Sequence, residues 1–212
     1  MSFGLPEEVV LLGLDDATGK CLSSYTHYSW NAGVLAELAA LRKIDLSHSH
    51  VLVIDGMSTG DDILDEALTS LRSANRKLAG ALRANLVSHG RDRTLQRLVD
   101  AGILEYHDNR VLGIFHFRRY PAHDGKVEVA IRDRLRAVVL TPMEPDARSL
   151  SLLAIAANSN LLHAFMTREE RRSAHARIAD LTQNEPIGRE LRRIIDEDES
   201  AATTATIIAA TS

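Results

Sequence analysis

Two short stretches carry the residues of this sequence that are best suited to bind a ligand. The first, residues 88–93, contains Ser88, Arg91 and Arg93 at the predicted start of a helix. Free backbone amides at a helix start and nearby Arg side chains can together hold a phosphate group. The same pattern is also that of an ordinary helix start with solvated Arg side chains. The stretch therefore predicts either an anion-binding site or a plain capped helix.

The second stretch is a predicted β-hairpin with an apolar tip. It pairs residues 103–106 with residues 111–117 around a turn at residues 108–109, and Arg118 and Arg119 follow it. Its apolar side chains are Val111, Leu112, Ile114 and Phe115. Moving all four from water into hydrocarbon would contribute at most about 6–12 kcal/mol, and each adjacent Arg about 1 kcal/mol near an anionic surface. The hairpin could support weak membrane docking, or it could be buried or join subunits.

Other residue types that often perform catalysis or hold metals lack the neighbours they need. His48 and His50 lie without a nearby Cys or a helical His pair, and residues 56–60 lack the Lys-Ser/Thr that completes a nucleotide-binding loop. The acidic residues within 61–66 could bind a cation, but helix capping and a solvated face explain them more simply. We therefore expect no catalytic residue, no metal and no cofactor, and a protein that is not an enzyme.

Composition narrows the class of protein further. The chain is 45% hydrophobic, which is enough for a filled core, and its net charge of -4 means that any polyanion site must be a local patch. Cys21 is the sole cysteine, which excludes an intrachain disulfide and fits a reducing compartment. No apolar run approaches the roughly 20 residues of a membrane span. We expect a cytoplasmic protein whose contact with the inner face of the cell membrane, where it occurs, is peripheral.

The spacing of apolar residues predicts a mainly helical chain. A buried helix begins at Pro6, a central helix covers residues 30–41, and Thr59 or Asp61 caps a helix with a strong apolar face. Short strands are predicted at residues 44–46 and 51–54. Further helices are predicted at residues 77–87, 91–100, 127–140, 150–157, 167–181, 186–195 and 201–210, with an acidic turn at residues 196–199.

Four blocks of the sequence, taken in order, resemble one protein family. They are Pro6-Glu7-Glu8-x-x-Leu11-Leu12-x-Leu14-Asp15-Asp16-x-x-Gly19, Leu35-Ala36-Glu37-Leu38, Thr59-Gly60-Asp61-x-x-Leu64-Asp65-Glu66-Ala67-Leu68 and Leu98-Val99-x-x-Gly102-Ile103-Leu104. The third block is the most specific of the four. Together they resemble the Golgi phosphoprotein 3 family, in its bacterial branch.

The resemblance implies a fold and a function. The implied fold is mainly α: a single domain over residues 1–212, in which a central helix bundle is ringed by amphipathic helices, with short β-hairpins, one of them protruding. The implied function is that of a non-enzymatic peripheral membrane adaptor resembling proteins that bind phosphatidylinositol 4-phosphate. The implied partners are an anionic lipid head group or membrane surface, protein clients, and a second copy of the chain through the hairpin.

The resemblance also points to a lipid pocket. The family uses a Trp and an Arg between its first two helices and an Arg-x-x-Arg pair at a later helix start. The second Arg of that pair matches Arg91, whereas the first falls on Ser88 and the earlier Arg on Asn31. The Trp position falls on Leu22 or Ser24, so most of the pocket is altered. The predicted ligand-binding residues are Arg91, Arg93, Ser88 and Asn31.

Two other functions compete with lipid binding. A helix at residues 91–100 followed by a hairpin is similar to the recognition helix and wing of a winged-helix nucleic-acid-binding protein. The acidic net charge, and the Asp and Gln within that helix, make nucleic acid a poor partner. Alternatively, the hairpin only joins copies of the chain, and the protein is an oligomerising interaction protein that reads no lipid.

Overall fold

The computed structural model describes residues 3–46, 50–73, 76–111 and 115–211, and over these residues the predicted mainly α fold is confirmed. The helices are α1 Leu5–Leu12, α2 Thr26–Ala40, α3 Asp62–Arg72, α4 Leu78–Arg83, α5 Gly90–Asp100, α6 Lys126–Leu140, α7 Ala147–Asn158, α8 Arg168–Ser173, α9 His175–Thr182 and α10 Pro186–Thr211, with a 3-10 turn at Leu162–Ala164. Strand β1 (Ile44–Asp45) pairs antiparallel with β2 (Leu52–Val53), and β3 (His107–Val111) with β4 (Phe115–Arg119). No helix of the described residues is long and apolar enough to cross a bilayer.

The predicted central helix is α2. It packs against α1, α4, α7 and α10, and its middle turns are buried on every side. All eight residues of α1 are also buried, including Glu7 and Glu8. Buried side chains from these helices form one continuous apolar cluster, so the acids inside it need partners of opposite charge.

A buried ion pair supplies one such partner and ties α1 to α2 and α7. Glu37 accepts a hydrogen bond from the Leu5 amide at 2.6 Å, and Arg148 Nη1 donates to the two oxygens of Glu37 at 2.8 and 3.0 Å. Arg148 Nη2 donates to the carbonyl of Phe3 at 2.5 Å. Glu37 is only 9% exposed, so its charge depends on this one guanidinium.

Capping residues behave as predicted at several helix starts. The side chain of Asp61 accepts hydrogen bonds from the amides of Ile63 and Leu64 at 2.8 and 3.0 Å, so Asp61 rather than Thr59 caps α3. Asp146 caps α7 in the same way through the Ser149 amide at 2.6 Å. These carboxylates satisfy amides that have no partner within the helix.

Trp30 docks the first turn of α5 on the central helix. Its indole N–H donates to the Thr94 hydroxyl at 3.1 Å, and that hydroxyl donates to the Gly90 carbonyl at 3.0 Å. The ring lies directly against Gly90, where a Cβ would come within 2.1 Å of the Trp30 ring. Glycine is thus required at position 90 for this close approach, which sets where the next residue, Arg91, can reach.

The β-hairpin lies later in the sequence than predicted. In the pairing of β3 with β4, Asp108 lies opposite Arg118, so the predicted turn at residues 108–109 is wrong. Residues 103–106 instead lie at the base of the hairpin, where Leu104 bridges Ala122 and the Glu105 amide donates to the Pro121 carbonyl at 2.9 Å. These base contacts keep the chain extended through Asp108 instead of allowing it to turn there. The predicted apolar tip residues Leu112 and Ile114 lie outside the described residues.

Several helix boundaries also differ from the prediction. For example, α4 ends at Arg83 and not at residue 87, and α2 begins at Thr26 and not at residue 30. The predicted acidic turn at residues 196–199 is wrong, because α10 continues through it. Tyr25 donates to Glu199 at 2.5 Å, Tyr28 to Asp198 at 2.7 Å, and Arg83 pairs with Asp198 at 2.9 Å, so the acids have partners in the helical conformation. The predicted helix at residues 167–181 is divided at Ala174, next to a Ser173 hydroxyl that bonds the Glu170 carbonyl and competes with helix continuation.

Removing the guanidinium of Arg148 should destabilise the fold strongly. Arg148→Met leaves the Glu37 carboxylate buried without its counter-charge, and we expect the free energy of unfolding to fall by about 3 kcal/mol. Urea denaturation followed by circular dichroism measures this. The matched control is Arg192→Met, which breaks an exposed pair with Asp196 and should change stability by about 0.5 kcal/mol or less. Equal losses in the two variants would contradict the role given to the buried pair.

A methyl group at position 90 should disrupt the docking of α5. In Gly90→Ala the new Cβ meets the Trp30 ring, and overpacking of this kind costs about 1–3 kcal/mol. Gly80→Ala, in α4, is the control: nothing lies within 4 Å of its new Cβ, so helix propensity should stabilise the protein by about 0.5–1 kcal/mol. Thermal and urea melts of both variants should therefore shift in opposite directions, and a neutral Gly90→Ala would argue against the close ring contact.

Candidate anion-binding groove

A groove of about 530 Å³ lies where three segments of the chain meet, and we call it the basic groove. The segments are the turn after α1, the first turns of α5, and the end of β4. Its lining comprises Gly19, Lys20, Cys21, Arg91, Asp92, Leu95, Arg118, Arg119 and Tyr120. Four cationic side chains against the single carboxylate of Asp92 give a formal charge of 4 − 1 = +3. This is a strongly positive concavity on a protein whose net charge is -4.

The turn at residues 15–21 is held against the end of the hairpin by backbone contacts. The Tyr120 amide donates to the Gly19 carbonyl at 3.3 Å, and the Ala122 amide donates to the Asp16 carbonyl at 2.9 Å. Gly19 has φ +61°, and a Cβ there would lie 2.2 Å from the Tyr120 nitrogen. Glycine is therefore needed both for the left-handed backbone and for the close approach. The contact brings Lys20 beside residues almost a hundred positions later in the chain.

Arg91 is the cation at the centre of the site. It lines the basic groove and also a narrow slot between α1 and α2, which carries the hydroxyls of Ser23, Thr26 and Ser29. Its Nη2 lies 3.1 Å from the Cys21 sulfur. Within the described part of the chain, no carboxylate forms an ion pair with Arg91 or with the three other cations of the groove. Their charge is thus available to a ligand.

Arg93 lies in a different environment. Its guanidinium pairs with Glu66 and with Asp62, each at 2.5 Å, and the Ser88 amide donates to the other oxygen of Glu66 at 2.7 Å. These contacts hold the pKa of Glu66 below its usual range, first through the Ser88 amide and then through Arg93. Arg97, one turn later, pairs with Asp61 at 2.7 Å and also with Asp62. The acids of α3 therefore already neutralise this face of α5.

Asn31 lies inside the protein. It is fully buried, and its amide nitrogen donates to the carbonyls of Leu82 and Ala84 at 2.7 and 2.8 Å, which joins α2 to the end of α4. The position that would carry the family's Trp is half-buried Leu22, which packs against the core, or Ser24. A role for Arg93, Ser88 and Asn31 in ligand binding stays a prediction, but the structure does not bring their polar groups into the basic groove with Arg91.

The groove continues into the hairpin. Arg118 and Arg119 are the last residues of β4 and line the groove, while Val111 and Phe115 pair with each other at the far end of the same strands. In the sequence these two Arg stand out only as neighbours of the hairpin, and Lys20 does not stand out at all. No local signal could have joined Lys20 to Arg91, because the residues are 71 positions apart and meet only through the Gly19 turn.

The sequence offered His48 and His50 as possible metal ligands. His48 lies outside the described residues, and His50 forms an antiparallel bridge with Lys77. Among the side chains that the structure describes, no three His, Cys, Asp or Glu converge on a point where they could hold an ion.

Comparison with known proteins agrees with the sequence resemblance. The sequence model of the family described as Golgi phosphoprotein 3 matches residues 5–197, nearly the whole chain. The vacuolar protein sorting-associated protein 74 of Eremothecium gossypii is 26% identical over 203 aligned residues, which cover 77% of this chain and 61% of that protein. The chain thus spans less than two thirds of the length of this relative. The match of the family model over residues 5–197 shows that the chain belongs to the Golgi phosphoprotein 3 family.

Proposed function

We propose that this protein is a peripheral membrane adaptor that binds an anionic phospholipid head group in the basic groove. One observation supports this most: the four cations of the groove, which have no carboxylate partner among the described residues, lie next to the base of the β-hairpin. A head group held in the groove would place the hairpin, with its apolar residues Val111, Leu112, Ile114 and Phe115, close to the bilayer. Membership of the Golgi phosphoprotein 3 family supports an adaptor role without catalysis.

The charge of the groove favours a head group with more than one phosphate. A phosphodiester together with a phosphomonoester carries about −2.5 to −3 at neutral pH, which balances the +3 of the lining. Phosphatidylinositol 4-phosphate has this arrangement, and the family resemblance implies the same lipid. A single phosphodiester would leave most of the positive charge unbalanced, so we expect weaker binding to phosphatidylinositol itself.

The groove alone should hold a membrane only weakly. Cations near an anionic surface contribute about 1 kcal/mol each, so four supply about 4 kcal/mol, which corresponds to a dissociation constant near 1 mM. If half of the hairpin's apolar side chains enter the bilayer, they add about 3–6 kcal/mol and bring the dissociation constant to between about 10 μM and about 50 nM. Groove and hairpin are therefore both needed, and binding stays reversible.

Nucleic-acid binding fits the structure less well. In a winged-helix protein, cations along the recognition helix would face the phosphates of a duplex. Here Arg93 and Arg97 on α5 pair with acids of α3, and Asp92 adds a negative charge beside Arg91. A duplex would have to displace those internal pairs. A membrane surface needs only the groove cations, which form no ion pair with a carboxylate in the part of the chain that the structure describes.

Vesicle binding tests the proposal. The wild-type protein should sediment with vesicles containing phosphatidylinositol 4-phosphate more than with vesicles containing phosphatidylinositol, and rising salt should weaken the binding. Arg91→Gln should reduce the affinity about tenfold or more, because hydrogen bonds to charged groups contribute about 1.5–3 kcal/mol. The control is Arg172→Gln, an exposed cation on α8 outside the groove, which should bind like the wild type.

Two results would count against the groove. Equal binding to neutral vesicles would show that the protein does not recognise the charge of the lipid. Equal losses of vesicle affinity in Arg91→Gln and Arg172→Gln would show that only the overall charge of the protein matters. A loss in Arg93→Gln but not in Arg91→Gln would move the site to the α3 side of α5, where the sequence alone had also placed candidates.

A further inference from the structure

We propose that Glu128 is a proton-dependent switch that controls one wall of the basic groove. The inference rests on the proposed function, since the regulated site is the groove that would hold the head group. Glu128 is a buried acid to which neither the packing described above nor the proposed function assigns a role. The titration of Glu128 and the exchange of the Ala122 amide can both be measured without lipid.

Glu128 and Arg132 both carry buried hydrogen-bonding atoms without a partner among the described residues: acceptors on Glu128 and a donor on Arg132. Glu128 is the third residue of α6 and is 3% exposed, and neither of its carboxyl oxygens has a hydrogen-bond partner among the described residues. One helical turn later, Arg132 donates through its two Nη atoms to Asp16, at 2.5 and 2.6 Å. The Nε–H of Arg132 is also buried and has no partner in the described part of the chain. An unmet acceptor and an unmet donor thus lie one turn apart on the same face.

The surroundings of Glu128 favour its protonated form. Burial raises the pKa of the carboxyl, and the negative charges of Asp16 and Asp124 raise it further. The nearby Glu128 backbone amide, which makes no hydrogen bond of normal geometry to the carboxyl, and Arg132 oppose this rise. Asp16 comes from the turn after α1, Asp124 precedes α6, and Arg132 lies on α6 itself. In the observed geometry, Asp16 holds both Nη atoms of Arg132 and the Nε–H does not reach Glu128, so a carboxylate at position 128 would be buried without a hydrogen-bond partner, whereas the neutral acid costs less to bury.

Loss of the Glu128 proton should change which carboxylates accept hydrogen bonds from Arg132. The proton leaves to solvent, and the new carboxylate can accept from Arg132 Nε while repelling Asp16. Arg132 is then shared between two acids, so its hold on Asp16 weakens. In the structure, Asp16 alone accepts from both Nη atoms of Arg132, and we assign this arrangement to the protonated state of Glu128.

Asp16 connects Arg132 to one wall of the basic groove. Its carbonyl accepts from the Ala122 amide at 2.9 Å, and the turn that it begins supplies Gly19, Lys20 and Cys21 to the groove wall. A weaker Asp16–Arg132 bond should therefore loosen the turn from the hairpin base. We expect the groove to bind best while Glu128 is protonated. Head-group phosphates gain charge as pH rises, so a fall in binding with rising pH would be opposite to the ligand's own trend.

Nuclear magnetic resonance tests the switch directly. The side-chain carboxyl resonance of Glu128, assigned by its disappearance in Glu128→Gln, should titrate above the ordinary range of a Glu, over a scan from about pH 4 to pH 9. The exchange protection of the Ala122 amide, corrected for intrinsic exchange at each pH, should fall through the same titration. In Glu128→Gln, which fixes a neutral side chain, protection should stay high. Asp133→Asn, an exposed acid on the same helix, should behave like the wild type.

Binding to vesicles containing phosphatidylinositol 4-phosphate gives the functional readout. The wild type should lose about fivefold in affinity as Glu128 ionises, whereas Glu128→Gln should not. Failure to bind vesicles at any pH would refute the proposed function but would leave the titration and the Ala122 exchange as tests of the switch. A Glu128 that titrates in the ordinary range, or Ala122 protection that does not follow its titration, would overturn the switch even if lipid binds. Vesicle binding with the same pH profile in the wild type and in Glu128→Gln would do the same for its regulatory role.

Discussion

The close approach of the Gly19 turn to the end of strand β4 is the constraint on which the candidate site depends. Without a side chain at position 19, the backbone of the turn reaches the Tyr120 amide, and Lys20 is delivered beside Arg118 and Arg119. Trp30 positions another of these cations, because its ring lies against Gly90 and the next residue, Arg91, lines the same groove. Two close contacts at glycines, Gly19 against Tyr120 and Gly90 against the Trp30 ring, thus bring together four cations from three distant parts of the chain.

The distribution of acids decides which cations remain available. Asp61, Asp62 and Glu66 on α3 pair with Arg93 and Arg97, so one face of α5 is neutralised inside the protein. Arg91, at the start of the same helix, has no such carboxylate among the described residues. A protein of negative net charge can therefore still present a positive groove, because its acids are placed against other cations.

Much of the fold could be predicted from the sequence because its signals are local. Asp61 and Asp146 cap their helices as expected, and the apolar periodicity identified α2 as the central helix. The hairpin register and the continuity of α10 could not be predicted, since they depend on distant partners: the Pro121 carbonyl in one case, and Tyr25, Tyr28 and Arg83 in the other. The same holds for the site. Arg91 was found because a helix start is a local pattern, whereas the contribution of Lys20 to the groove exists only after the chain has folded.

We propose that the basic groove and the hairpin form one membrane-facing surface. Hydrogen–deuterium exchange, measured with and without vesicles containing phosphatidylinositol 4-phosphate, can locate that surface. We expect slower exchange on vesicle binding at residues 19–21, at residues 90–92 and along residues 107–119, with little change in α3 or α8. Protection centred on α3 or α8, with residues 19–21 and 107–119 unchanged, would contradict it.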